Sequence, residues 1–209
     1  MNLPTKDKEG KPYISYSQVS TFIKSPKEYI QKYFFKEPIS FTAYLDFGSK
    51  VGEALEKNDF SAFEKDEEIT LKKVIRLDEF EREVKYDFGE FYTIGYIDTN
   101  TKDLSYIIDY KTGSMDKESE YKKEEYIQPL IYAMSIEQET GKLPEKAEVV
   151  LIERYGNAFK GEILTVGQNI KHIPISITKD RIENTKQLIL STVKQIEQYY
   201  NVFLKLNTL

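Results

Sequence analysis

Apolar positions recur at helical spacing in the first third of the chain, behind hydroxyl and proline residues of the kind that open helices. Val19, Phe22 and Ile23 follow Ser15 in this way. Residues 59–73 fit either a loop or a short helix. The pattern predicts a helix after Ser15, a second from Pro26 to about Phe35, and a third from Phe47 to about Asn58.

From about residue 74 the apolar pattern shortens into β-branched and aromatic runs, which is typical of strands. Turns are predicted at 87–90 and 99–103, where glycine, asparagine and aspartate occur between the runs. Short turns between neighbouring strands indicate a β-meander. The predicted strands are 74–77, 80–86, 91–97 and 104–108.

A second region of helical spacing follows the charged stretch 114–125. It predicts a helix from about 120 to 139, which Gly141 and Pro144 would end. Three further elements are predicted: a strand over 146–155, a hairpin arm over 159–177, and a helix over 179–206 that packs on the body.

The chain of 209 residues, 40% of them hydrophobic, is long enough to bury a real core. The order of elements indicates an α/β fold in one domain that spans 1–209. Its predicted parts are a flexible arm 1–11, N-terminal helices 12–58, a core 74–155, a hairpin 156–178 and a C-terminal helix 179–209.

The composition excludes several kinds of site. Because there is no cysteine, the chain has no disulfide, no thiolate zinc site and no cysteine-ligated iron–sulfur cluster. No apolar run reaches the roughly 20 residues of a membrane span, and the first ten residues lack a signal peptide's apolar segment. We therefore expect a cytoplasmic protein without a membrane partner.

The net charge of −5 argues against a protein that coats nucleic acid through bulk electrostatics. A local basic groove is still compatible with this charge. In residues 24–36, lysines alternate with tyrosines and phenylalanines. This stretch fits either a surface that grips a nucleic-acid strand or an amphipathic helix with a solvated lysine face.

The candidate chemistry lies where two apolar runs end in acids, at Asp98 and Asp109. In a strand, Lys111 would share a face with Asp109, because side chains alternate with a period of two. Two carboxylates can hold a hard divalent cation, and the lysine can offer positive charge to a reacting phosphate. The residues indicate metal-assisted phosphodiester hydrolysis; the alternative is a weak surface ion pair.

Three motifs occur in order: Gly95-Tyr-Ile-Asp98, Asp109-Tyr-Lys-Thr-Gly113 and Gln128-Pro-Leu-Ile-Tyr132. With the opening segment 16–26, they resemble the RecB-like exonuclease branch of the PD-(D/E)XK nuclease superfamily. The resemblance implies a restriction-endonuclease-like αβββαβ core, in which helices flank a central mixed β-sheet. It also implies a DNA exonuclease that acts on single strands or duplex ends.

Two positions depart from the family's pattern. Ser25 stands where cluster-bearing relatives have cysteine, so the iron–sulfur version is excluded. Gly52 stands where the resemblance places a metal-binding histidine. Glu56, one helical turn further on, or the adjacent Glu53 could replace that ligand, as could water; the alternative for both glutamates is a solvated helical acid.

The resemblance implies that Mg²⁺ or Mn²⁺ is held by Asp98, Asp109 and the backbone carbonyl of Tyr110. Lys111 would lower the pKa of the attacking water or stabilise charge on the phosphoryl oxygens. Gln128 would orient Lys111 or a phosphate, and Tyr132 would form a hydrogen bond nearby, although plain packing fits Tyr132 equally well.

Other residues carry weaker expectations. Glu83 fits a solvated edge acid better than an acid behind the metal ligands, and His172 has no matching partner for catalysis. The chain contains no phosphate-binding loop for ATP, so any helicase or recombination partner would be another protein. The main rival function is a catalytically inactive nuclease fold that binds DNA or a protein partner; a purely structural or assembly protein is a third possibility.

Overall fold

The computed structural model describes residues 1–37 and 43–207. Two short 3-10 turns, 115–117 and 158–160, accompany the regular elements. The helices are α1 (Tyr16–Lys24), α2 (Pro26–Tyr33), α3 (Ala43–Lys57), α4 (Lys65–Leu71), α5 (Glu118–Tyr121), α6 (Gln128–Thr140) and α7 (Lys179–Asn207). The strands are β1 (Tyr13–Ser15), β2 (Glu79–Asp87), β3 (Tyr92–Asn100), β4 (Tyr106–Gly113), β5 (Lys146–Tyr155) and β6 (Thr165–Ile175).

The strands form one mixed six-stranded sheet, which confirms the predicted α/β fold with a helix-flanked central sheet. Strand β4 pairs in parallel with β5, and β5 pairs antiparallel with β6. The β2–β3 and β3–β4 pairs are antiparallel, as the meander predicted. The parallel β4–β5 pair is joined through α6, as the αβββαβ core requires.

The two edges of β3 are used differently. Strand β2 pairs with β3 along nearly its whole length. The other edge is shared, because β1 pairs with 92–94 in parallel and β4 pairs only with Thr99 and Asn100. The ladder is therefore open between these two contacts, and Asp98 lies in the opening.

Two hydrophobic clusters lie on opposite faces of the sheet. Ile107 and Val149 pack in the cluster that contains apolar residues of α1, α6 and α7. Their neighbours Ile108 and Val150 pack in the cluster built with α3 and α4. Because successive strand residues face opposite ways, β4 and β5 present apolar residues to both faces, and β4 carries Asp109 and Lys111 in its C-terminal part.

Sequence-encoded caps fix the first two helices. Ser15 accepts a hydrogen bond from the Gln18 backbone N–H, and the Gln18 side chain accepts one from the Ser15 backbone N–H at 2.7 Å. Ser25 caps α2 in the same way through the backbone N–H of Glu28, with Pro26 as the first helical residue. These caps satisfy N–H groups that have no partner within the helix.

The predicted helix over 120–139 is wrong in its first half. The chain instead forms a 3-10 turn and α5, breaks over 122–127, and begins α6 at Gln128. Pro129 explains the break, because its ring disfavours helical backbone before it and suits the first turn of a helix. The break places Tyr126 outside the helix, in the turn that leads into it.

Other differences are smaller. Residues 74–77 are not a strand, although Val74 is buried; this apolar run packs as a loop. Residues 1–11 differ from the expected flexible arm, because Leu3 is buried in the core and Thr5 donates a hydrogen bond to the Tyr13 carbonyl. Within 59–73 the short helix α4 forms.

The predictions for residues 38–42, inside the N-terminal helical region, and for 208–209, at the end of the C-terminal helix, lie outside the described residues. Over 1–37 and 43–207, none of the helices is both long enough and apolar enough to span a membrane.

Candidate active site

Asp98 is fixed against β4 by a side-chain bond that replaces a ladder bond. The backbone N–H of Tyr110 donates to Oδ2 of Asp98 at 2.5 Å. Regular β3–β4 pairing stops at Thr99, so this carboxylate takes the position that a main-chain carbonyl would fill. The opening between the strands thus lets the Asp98 side chain contact the segment of β4 that carries Asp109 and Lys111.

Asp109 is almost fully buried, with 1% of its surface exposed. Lys111 Nζ lies 2.7 Å from Oδ2, and the Tyr126 hydroxyl donates to the same oxygen at 2.9 Å. The Tyr132 hydroxyl lies 3.4 Å from Oδ1. Three donors therefore compensate the burial of this carboxylate, which would otherwise be costly.

Burial and the neighbouring charge of Asp109 raise the pKa of Asp98 to about 7, although Lys111 and the Tyr110 N–H act in the opposite direction. Burial by itself would lower the pKa of Lys111, but Asp109 and Asp98 outweigh it and raise that pKa. Lys111 is therefore a stable cation between two carboxylates. When both carboxylates are ionised, they carry one negative charge more than the lysine can neutralise, which favours a bound cation.

Gln128 and Tyr132 share one face of α6 and meet above Asp109. The Gln128 amide donates to the Tyr132 hydroxyl at 2.6 Å, and its carbonyl oxygen lies 3.1 Å from the Tyr126 hydroxyl. Gln128 thus contacts the two tyrosines that contact Asp109, whereas the family resemblance implied Lys111 or a phosphate as its partner. Burial, and then the charge of Asp109, raises the pKa of both tyrosines well above the usual value, so both keep their protons.

Gly95 is required by the position of the Tyr132 ring. A Cβ added at Gly95 would lie 2.7 Å from Cε1 of that ring. The glycine of the Gly95-Tyr-Ile-Asp98 motif therefore makes room for the tyrosine of the later motif. This contact joins β3 to α6 directly beside the acids.

We expect Gly95→Ala to destabilise the fold by about 1–3 kcal/mol, because the new methyl group must displace the buried Tyr132 ring. Gly52→Ala is the matched control. It lies inside α3 with nothing within 4 Å of its added Cβ, so it should stabilise the fold by up to about 1 kcal/mol. Urea unfolding of both variants measures this, and equal stability of the two would contradict the close packing at Gly95.

The structure does not bring Glu53 to the site. Glu53 forms an exposed ion pair with Lys57, one turn along α3. Glu56 is also exposed. Burial raises the pKa of Glu81, and the negative charge of Glu56 adds to this rise. Glu83 pairs with Lys85 and accepts a hydrogen bond from Tyr96, as expected for an edge acid.

Sequence reasoning missed two residues at the site, Tyr126 and Glu81. Phe80 pairs with Thr99 and Arg82 with Ile97, so Glu81 stands opposite Asp98 in register. Its φ of 49° explains why it forms no regular bridge there. The β2–β3 turn could have identified Glu81 by counting residues back along the hairpin, and Pro129 could have identified Tyr126 as a residue before the helix.

Two other predicted features lie elsewhere. His172 Nδ1 lies 3.0 Å from the carboxylate of Glu148, so its partner is neither Asp98 nor Asp109. Within 24–36, Tyr29 and Phe34 are buried in the core, so these aromatic residues pack rather than grip a strand. Lys24 is different, because it lines a cavity that reaches Lys111.

The donor set of the site fits a hard divalent cation, because Asp98 and Asp109 offer carboxylate oxygens. Throughout the described ranges, no group of three or more histidine, cysteine or acidic residues stands close enough together to hold a metal ion. A two-carboxylate set suits magnesium, which usually keeps several waters as ligands.

Comparison with known proteins gives one family and one fold. The sequence model of the PD-(D/E)XK nuclease superfamily matches residues 53–202. A crystal structure from Eubacterium rectale, named "Putative exonuclease", superposes with a TM-score of 0.57 at 12% sequence identity, covering 94% of this chain and 84% of that one. No curated protein sequence matches the chain.

Proposed function

The chain belongs to the PD-(D/E)XK nuclease superfamily, and we propose that it hydrolyses phosphodiester bonds of DNA with the help of Mg²⁺ or Mn²⁺. The observation that carries the proposal is the contact of Lys111 with buried Asp109 at 2.7 Å, with Asp98 in the strand opening beside them. Nucleases of this superfamily generally use divalent metals, and the oxygen donors present suit such ions.

In this proposal Asp98, Asp109 and the backbone carbonyl of Tyr110 hold the cation. When bound, the cation supplies charge neutralisation at the phosphate and a more acidic water. Lys111 keeps a positive charge where negative charge develops on the phosphoryl oxygens. Gln128, Tyr126 and Tyr132 fix the orientation of the Asp109 carboxylate, which a precise site needs.

Glu56 is the better of the two candidates for the further ligand. Its charge helps to raise the pKa of Glu81, and Glu81 lies opposite Asp98 across the β2–β3 ladder. Glu53 instead forms an ion pair with Lys57. If Glu56 reaches the cation, it does so from α3, the helix that carries Gly52. Comparing Glu56→Gln with Glu53→Gln for Mn²⁺ affinity tests this assignment, and only Glu56→Gln should weaken binding.

We further propose exonuclease action of the RecB-like kind, on single strands or duplex ends, with a helicase or recombination protein as partner. The order and spacing of the three motifs support this reading. The name of the Eubacterium rectale protein agrees with it.

The test uses end-labelled linear single strands, blunt duplexes and a circular single strand, each incubated with Mg²⁺, Mn²⁺ or EDTA. We expect both linear substrates to be degraded from their ends only with a divalent ion, while the circle resists. Cleavage of the circle would instead indicate an endonuclease. No cleavage of any substrate, together with DNA binding, would support the inactive nuclease fold, for which Gly52 in place of the family's histidine is the supporting observation.

A further inference from the structure

A cavity of about 720 Å³ opens beside the acids and has Lys111 in its wall. Residues of α1, of the 115–127 segment and of α7 enclose it. Tyr126, whose hydroxyl contacts Asp109, also lines it. The cavity therefore leads from the protein surface to the proposed reaction centre.

The charged residues in the wall of this cavity carry a net positive charge, opposite in sign to the net charge of the whole chain. Besides Lys111 it contains three lysines, Lys24, Lys117 and Lys123, against two acids, Glu120 and Glu125. None of these three lysines forms an ion pair with any other residue in the described parts of the chain. In a chain of net charge −5, a local excess of unpaired lysines marks a place for an anionic ligand.

Three tyrosine rings stand beside these charges. Tyr126 lies edge-on to Tyr16, with ring centroids 5.7 Å apart, and to Tyr121, at 5.0 Å. Tyr16 and Tyr121 are partly exposed, whereas Tyr126 is buried at the base. Partly exposed rings between lysines suit a ligand that alternates flat bases with phosphates.

We propose that this cavity is the entry groove for one unpaired DNA strand, whose bases stack on Tyr16 and Tyr121 while Lys24, Lys117 and Lys123 contact its phosphates. A duplex cannot use the rings, because its base faces are already stacked on one another. The groove directs the strand toward Lys111. This inference rests on the proposed nuclease function and names the form of its substrate.

The lysines are tested by fluorescence anisotropy of a labelled oligo-dT strand, in EDTA so that nothing is cleaved, over a range of salt concentrations. The double variant Lys24→Gln/Lys123→Gln should weaken binding. It should also flatten the slope of log affinity against log salt by about 1.4, since each contact to a single strand contributes about 0.7. Lys142→Gln/Lys160→Gln is the matched control, since both lysines are exposed and lie outside the groove, and its slope should equal that of the wild type.

Removing an acid from the groove should strengthen binding of the strand. Glu125→Gln removes a negative charge from the groove and should therefore tighten binding.

Removing a ring should weaken binding. Tyr121→Ala should weaken binding roughly tenfold, as loss of one stacked base does, whereas Tyr121→Phe keeps the ring and should bind like wild type. Tyr155→Ala, at an exposed ring outside the groove, is the control and should change nothing.

The inference is overturned if the wild type does not bind the strand, or if the groove and control lysine pairs have the same salt slope. A blunt duplex bound as tightly as the single strand, with the same loss in the groove variant, would overturn the single-strand assignment. Binding that behaves as expected without any cleavage in Mg²⁺ would leave the groove in place and refute only the nuclease proposal. Cleavage in Mg²⁺, together with normal strand binding by the groove variants, would support the nuclease proposal and refute the groove.

Discussion

Asp109→Asn and Lys111→Met are each expected to lower the rate of Mg²⁺-dependent DNA hydrolysis by at least about 10²-fold, the usual cost of losing one group that stabilises a transition state. The asparagine variant would keep the shape of the carboxylate but lose the charge that Lys111 and the cation require. The lysine variant would keep the cation's oxygen ligands but lose the positive charge 2.7 Å from Asp109.

Because Asp109 and Lys111 are in direct contact, their effects should not add. The double variant should be about as slow as the slower single variant, as is typical of residues that act as a unit. Single-turnover cleavage of an end-labelled strand measures this. Two single losses that multiply in the double variant would indicate that the residues act separately.

A matched control separates this effect from a general loss of lysine charge. Lys171 lies in the same row of the sheet as Lys111, two strands away on β6, and its ion-pair partner is Glu118 rather than Asp98 or Asp109. Lys171→Met should leave cleavage within about twofold of wild type, since ion pairs that remain in contact with solvent contribute little. Unchanged activity in Asp109→Asn or Lys111→Met, with urea unfolding confirming that each is folded, would refute the assigned site.

The elements that the sequence predicted well are those in which local pattern and tertiary role agree. Strand β5 reads as a β-branched run and is central in the sheet, and α7 reads as a long apolar stripe and packs by that stripe. Residues 74–77 differ, because their local pattern and their tertiary role do not agree. An apolar β-branched run indicates burial, but burial does not decide whether the backbone pairs with a strand.

The site divides in a similar way. Asp98, Asp109 and Lys111 could be predicted because short spacing along two strands determines where they lie. Tyr126 and Glu81 were missed, because identifying them requires more than the spacing of a motif: the first depends on where α6 begins and the second on the register of β2 against β3. Both depend on backbone geometry that is set by contacts across the fold.

The second large effect is an inverted pH dependence of stability in the metal-free protein, caused by Asp98. Its pKa is about 7 in the folded protein, against about 3.9 for an unperturbed aspartate. Between these values the folded state binds more protons than the unfolded state, so the free energy of unfolding falls as pH rises. The contribution is fully present below about pH 4 and is lost as pH rises through about 7.

In EDTA, wild type should therefore lose about 2 kcal/mol relative to Asp98→Asn between pH 5 and pH 8, less than the full shift of the pKa would give because Asp98 is only partly buried. Asparagine can still accept the hydrogen bond of the Tyr110 N–H but carries no charge, so this variant isolates the titration from the bond. Both proteins are measured by urea unfolding. The difference between them also cancels the pH-dependent contributions of carboxylates with lowered pKa values, such as Asp103 and Glu118.

Saturating Mn²⁺ should restore the stability of the wild type at pH 8 by neutralising the two carboxylates, and should stabilise Asp98→Asn much less. Parallel pH profiles for the two proteins in EDTA would show that Asp98 is ionised without strain, and the argument that this strand opening needs a cation would then fail.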